Sequence, residues 1–134
     1  MDPLIEKKHF LPTNNTPEIF LDPEGVIRIK GKANVLTTSA NFALITDWLD
    51  KYLANPADIT IINISVEYLN SYCTARLVNV LKQFSGIMLK GKKLVINWYY
   101  EEDDEDLLER GEHVADVLNL KITYISTTDI NHCC

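Results

Sequence analysis

Apolar positions in this chain recur either at every second residue or at every third and fourth, and the changes between the two spacings mark its elements. Glu18 to Leu21 and Val26 to Lys30 alternate and read as two short strands around Asp22-Pro23-Glu24-Gly25. In that turn Pro presets the bend and Gly supplies a positive φ. From Ser39 to Leu53 the residues Ile45, Trp48, Leu49, Tyr52 and Leu53 follow helical spacing, with Thr37, Thr38 or Ser39 as the cap and Asn55-Pro56 as the stop. Ile59 to Leu69 alternates again, with Ile62, Ile64, Val66 and Tyr68 on one face and Ile61, Asn63, Ser65 and Glu67 on the other. Only the first of these faces is apolar enough for the main core.

A second helix is expected over Tyr72 to Met88, with Cys73, Leu77, Val80, Leu81 and Phe84 on its stripe, and Gly91 ends the connection to a strand at Lys93 to Tyr99. A third helix at Asp103 to Leu118 carries Leu107, Gly111, Val114 and Leu118, before a last strand at Ile122 to Ile125. The order ββαβαβαβ predicts an α/β fold: a single-domain mixed sheet of about five strands. The last three strands are mutually parallel through right-handed crossovers, and the helices lie mainly on one face. The expected division is a flexible N-terminal arm at 1–12, the α/β domain at 13–126 and a flexible tail at 127–134.

Composition narrows the function. The chain has 134 residues, 46% hydrophobic and 24% charged, which suits one soluble globular domain with its own core. Nineteen acidic against thirteen basic residues give a net charge of −6, the wrong sign for a protein that neutralises nucleic-acid phosphates. No apolar run suits a bilayer span or a signal peptide, so no membrane role and a cytoplasmic location are expected. Cys73, Cys133 and Cys134 cannot all pair within the chain and read as reduced thiols. The terminal Asn131-His132-Cys133-Cys134 could bind a metal or accept a lipid, but it lacks partnering ligands or a basic segment and reads as a frayed tail.

Two segments stand out for chemistry. Parallel strands place their C-terminal ends on one sheet edge, where α/β folds put their sites. That edge gathers Tyr68-Leu69-Asn70-Ser71-Tyr72-Cys73-Thr74 and Trp98-Tyr99-Tyr100 with the acidic run Glu101 to Asp106. Ser71 falls at the expected N-cap, where its hydroxyl satisfies a backbone N–H; the same hydroxyl can accept a phosphate, which would meet free N–H donors and the positive helix end. The acidic run complements a helix dipole, and six adjacent like charges also offer a docking surface for a basic partner or, less simply, a hard-cation site. Trp98, Tyr99 and Tyr100 read as core and edge packing, whereas Tyr72 beside Ser71 suits an interface centre. No phosphate-cradling Gly-rich loop, nucleophile elbow or metal-ligand cluster is present, and His9, His113 and His132 are isolated, so no enzyme and no cofactor are expected.

Four segments together resemble the SiaC family of bacterial regulatory phosphoproteins, relatives in architecture of STAS (anti-sigma factor antagonist) domains. They are Thr16-Pro17-Glu18-Ile19 running into Asp22-Pro23-Glu24-Gly25; Asp47-Trp48-Leu49 with Tyr52-Leu53; Tyr68-Leu69-Asn70-Ser71; and Trp98-Tyr99-Tyr100-Glu101-Glu102-Asp103-Asp104-Glu105-Asp106. The resemblance covers about residues 13 to 125. It implies a non-enzymatic protein phosphorylated by a partner Ser/Thr kinase on the hydroxyl after Tyr-x-Asn, here Ser71 with Thr74 as the lesser candidate, and reset by a PP2C-type phosphatase. It also implies that the unphosphorylated form binds and activates a diguanylate cyclase, linking it to cyclic di-GMP and biofilm control. The partner surface would comprise Asn70, Tyr72, Tyr100, Glu101, Glu102, Asp103 and Asp104. The family's Thr, serine run and basic residue are replaced here by Ser71-Tyr72-Cys73-Thr74-Ala75, and its Pro-Glu-Asn segment by Asn34-Val35-Leu36-Thr37-Thr38. Two rival readings are an anti-anti-sigma factor that sequesters an anti-sigma kinase, and a metal-dependent enzyme using the run at 101–106.

Overall fold

The computed structural model describes residues 5–33 and 39–130. Its elements are β1 (Lys8–Phe10), β2 (Glu18–Asp22), β3 (Val26–Ala33), α1 (Ser39–Ala54), β4 (Ile59–Leu69), α2 (Ser71–Phe84), a 3₁₀ segment (Ser85–Lys90), β5 (Lys93–Glu101), α3 (Glu105–Leu118) and β6 (Thr123–Thr127). The capping candidates Thr37 and Thr38, the side chain of Ser39, the segment 34–38 and the tail residues His132, Cys133 and Cys134 lie outside the described part. Among the described residues no helix is long and apolar enough to cross a membrane.

The β2–β3 turn closes as its residues dictate. Gly25 N–H donates to the Asp22 carbonyl at 2.9 Å, and the Asp22 carboxylate accepts from Glu24 N–H at 2.9 Å. Gly25 has φ +111°, and a Cβ there would lie 2.4 Å from the Ile59 carbonyl oxygen, so both conformation and space require glycine.

The six strands lie in sequential order, with β1–β2 and β2–β3 antiparallel and β3–β4, β4–β5 and β5–β6 parallel. Three right-handed crossovers stepping in one direction put α1, α2 and α3 on the same face. The core lies between them and the sheet: Trp48, Leu49, Tyr52, Leu77, Leu81, Phe84 and Val114 meet Ile27, Ile29, Ile62, Ile64, Ile96 and Trp98, all buried. The Tyr52 ring stacks on Trp48 at 4.9 Å, and its hydroxyl bonds with that of buried Thr60 at 2.6 Å. The other sheet face is mixed: Val26, Ile61 and Val95 lie side by side on it next to Arg28, Asn63 and Asn97, and Asn97 donates across it to Asn63 at 2.9 Å.

The expected α/β class, strand order and one-sided helix layer are all present, with four differences. The sixth strand is β1, in the segment read as a loose arm. Its three residues carry no alternation; it is held from outside, by Trp48 Nε1 donating to the Glu6 carbonyl at 2.6 Å and His9 Nε2 bonding to Glu18 Oε2 at 2.8 Å. Tyr68 is not in the core: β4 carries a bulge, since Val66 pairs with Gly31 and Tyr68 with Lys32, leaving Glu67 as an extra residue. The alternation then shifts by one, so Leu69 points inward and Tyr68 is 53% exposed. The second helix stops at Phe84 and tightens into the 3₁₀ segment, which Gly91 ends with φ +76°. At the other end, Ile130 in the expected tail is 2% exposed, so the chain beyond β6 folds back onto the domain.

Candidate functional site

Because β4 and β5 are parallel, the start of α2 and the acidic loop after β5 emerge at the same sheet edge, as the strand order predicts. Asn70 follows the bulged end of β4 in an extended conformation (φ −81°, ψ 174°), and its side-chain oxygen accepts from Cys73 N–H at 2.8 Å. Asn70, not Ser71, is therefore the N-cap. Both residue types cap well, and the bulge sets the phase that gives Asn70 the position. Ser71 becomes the first helical residue, exposed, with no hydrogen bond to its hydroxyl among the described residues.

The neighbours of Ser71 differ sharply. Tyr72 is 57% exposed, and its hydroxyl accepts from Arg76 Nε at 2.8 Å while the guanidinium lies 5.1 Å over its ring. Thr74, the lesser phosphoacceptor candidate, is 6% exposed; its hydroxyl donates to the Asn70 carbonyl at 2.7 Å and accepts from Arg110 Nη1 at 3.3 Å. A hydroxyl both buried and used twice is a poor phosphate acceptor. Cys73 is buried in the helix stripe.

The acidic run divides into structural and exposed members. Glu101 accepts from Ile130 N–H at 3.5 Å, and Asp104 caps α3 by accepting from Leu107 N–H at 3.0 Å. The helix thus starts at Glu105 rather than Asp103. Glu102, Asp103, Glu105 and Asp106 face solvent, and Tyr100 is half-buried. Asp104 and Asp106 share a cleft of about 290 Å³ with Glu67, Tyr68 and Arg110, so the two distinctive segments do meet. Among the described residues no three His, Cys, Asp or Glu side chains are grouped to hold a metal ion.

Arg110 is the site residue that sequence reading missed. On α3, it lines the acidic cleft and also a second one, of about 380 Å³ between α2 and α3, together with Ser71, Thr74, Asn79 and His113. Its place immediately before Gly111 on the buried stripe puts it at a helix edge, and only the packing of α3 against α2 turns that edge toward Thr74. That edge is held firmly. Gly111 lies against Trp98, whose Nε1 donates to the Leu107 carbonyl at 3.1 Å, and Tyr124 donates its hydroxyl to the Gly111 carbonyl at 3.3 Å. Burial, reinforced by Glu112 and Asp116, pushes the Tyr124 phenol above its ordinary 10.0, which keeps it a donor.

The family model for SiaC family regulatory phosphoproteins matches residues 10–127, from the last residue of β1 to the last of β6. The chain belongs to the SiaC family. The SiaC fold is also found by shape. A chain from the crystal structure of the diguanylate cyclase SiaD in complex with its activator SiaC, from Pseudomonas aeruginosa, superposes with a TM-score of 0.80 at 19% identity. The match covers 90% of this chain and 99% of that one. Apo-SiaC from the same organism gives a TM-score of 0.74 at 19% identity, over 91% and 98% of the two chains. No curated protein matches by sequence. At such identities the shapes share a fold, while membership in the SiaC family rests on the family model.

Proposed function

We propose that this SiaC-family protein is a non-enzymatic cytoplasmic switch whose unphosphorylated form binds and activates a diguanylate cyclase. A partner Ser/Thr kinase phosphorylates it on Ser71 and a PP2C-type phosphatase resets it. The observation that carries this reading is the exposed Ser71 hydroxyl, left unspent by Asn70 capping, at a sheet edge shared with the acidic loop. The SiaC of Pseudomonas aeruginosa, whose fold this chain shares, is named as activator of the cyclase SiaD.

Physics gives the switch its size. A phosphate on Ser71 adds nearly two negative charges in the cleft next to the one that Asp104 and Asp106 line, and even two unit charges 4 Å apart interact by roughly 4 kcal/mol at an effective dielectric of about 20. After screening, enough remains to change a partner's affinity tenfold without refolding the domain. Exposed Tyr72, Glu102 and Asp103 form the docking face; Asn70, Glu101 and Asp104 hold its shape, with Tyr100 packed behind.

Phosphopeptide mass spectrometry on protein purified from its own cells tests the assignment. Phosphate on Ser71 and none on Thr74 is expected; a fully covered peptide that is unmodified in every growth condition would remove the switch.

A further inference from the structure

Arg110 stands between the acidic cleft and the cleft that holds Ser71 without being committed to either. Its guanidinium makes a long hydrogen bond to the Thr74 hydroxyl, at 3.3 Å, and no ion pair within 4.0 Å joins it to a carboxylate among the described residues, although Glu67, Asp104 and Asp106 line the same cleft. Ser71 and Thr74 are three residues apart on α2, which places their side chains on one helix face with Cβ atoms about 5–6 Å apart. A guanidinium resting on Thr74 is therefore within side-chain reach of a phosphate on Ser71. The cleft holding Ser71, Thr74 and Arg110 has room for the group, at about 380 Å³.

The exchange favours the phosphate. A neutral hydroxyl offers Arg110 one weak acceptor, whereas a phosphate offers oxygens matched to its planar fork and a formal charge to pair. The N–H groups of Ser71 and Tyr72, in the first turn of α2, have no helical acceptor and point the same way. We propose that Arg110 reads phosphoserine 71, leaving the Thr74 hydroxyl for the phosphate and withdrawing its positive charge from the acidic cleft. This rests on Ser71 being the phosphoacceptor. It gives the modification a route to the acidic loop: the phosphate adds negative charge and also draws away the cation that shares a cleft with Asp104 and Asp106.

The test installs phosphoserine at position 71 by genetic encoding, so that neither kinase nor cyclase is needed, and follows the phosphate's second ionisation by ³¹P NMR. In the folded protein it should titrate about one pH unit lower than in Arg110→Gln carrying the same phosphoserine, with Arg110→Lys between the two. A synthetic phosphopeptide spanning residues 66–76 serves as reference should Arg110→Gln fold poorly. A value in the intact protein at or above that of the peptide would overturn the proposal, because the acidic loop would then dominate; so would equal values in the intact protein and a folded Arg110→Gln. Failure to find phosphate on Ser71 in cells would instead remove the switch while leaving this result standing.

Discussion

Asn70 caps α2 through its side-chain oxygen, 2.8 Å from Cys73 N–H, and Ser71 beside it takes no part. The two residues are thus separable by mutation. Asn70→Ala should cost about 1 kcal/mol of stability, the usual effect of losing a cap, whereas Ser71→Ala should stay within about 0.5 kcal/mol. Urea unfolding of both variants measures the difference directly; the reverse order would return the capping role to Ser71.

Gly111 is dictated by the indole behind it. A Cβ at this position would lie 2.8 Å from Trp98 Cε2 and Nε1, and Trp98 is wholly buried with its N–H bound to the Leu107 carbonyl. Gly111→Ala should therefore destabilise by about 1–3 kcal/mol, as overpacking does. Trp98→Phe combined with Gly111→Ala should lose less than the sum of the two single changes, because the smaller ring makes room. Thermal unfolding of the four proteins tests both statements.

One carboxylate, that of Glu18, links the edge strand β1 to β3 through His9 and Arg28. Burial alone would raise the Glu18 pKa, but hydrogen bonds from His9 and Arg28, with the Arg28 charge, outweigh it and hold it below the ordinary 4.5. A carboxyl depressed in the folded state contributes stability that is fully present above its unfolded pKa and lost as pH falls through the folded one. Stability followed from pH 7 into acid should thus fall below about pH 4.5. Glu18→Gln should flatten that part of the profile and leave less stability to lose. An unchanged acid profile in the variant would show that Glu18 does not set the acid limit of stability.

Much of the fold was legible because its signals are local. Alternation in β3, the helical stripe of α2 and the Asp22-to-Gly25 turn each dictate their own element, and their order then implies parallel strands and one helix layer. What was illegible depends on partners distant in sequence. Lys8–Phe10 becomes a strand only because Trp48 and Glu18 hold it, and the bulge that turns Tyr68 outward is a property of the β3–β4 register. At the site, the meeting of the Ser71 turn with the acidic loop followed from topology. The choice of Asn70 over Ser71 as cap did not, since both suit the position, and neither did Arg110, which looks like any surface arginine until α2 and α3 are packed together.

The exposed half of the acidic loop carries the docking prediction. Glu102→Lys with Asp103→Lys should weaken binding to the effector chiefly by slowing association, with an effect that shrinks as salt rises, while leaving unfolding unchanged. The structural members behave otherwise: Asp104→Ala should cost about 1 kcal/mol of stability through the lost α3 cap. Stopped-flow association at two ionic strengths, beside melting curves, separates the two groups.

In the proposed switch, phosphate on Ser71 controls binding to a diguanylate cyclase. Its most direct measurement is the affinity of the purified cyclase from the same cells for two forms of this protein, one with serine and one with encoded phosphoserine at position 71. The serine form should bind tightly and activate the cyclase, and the phosphoserine form should bind at least about tenfold more weakly, equivalent to about 1.4 kcal/mol. Equal affinities for the two forms would contradict the switch.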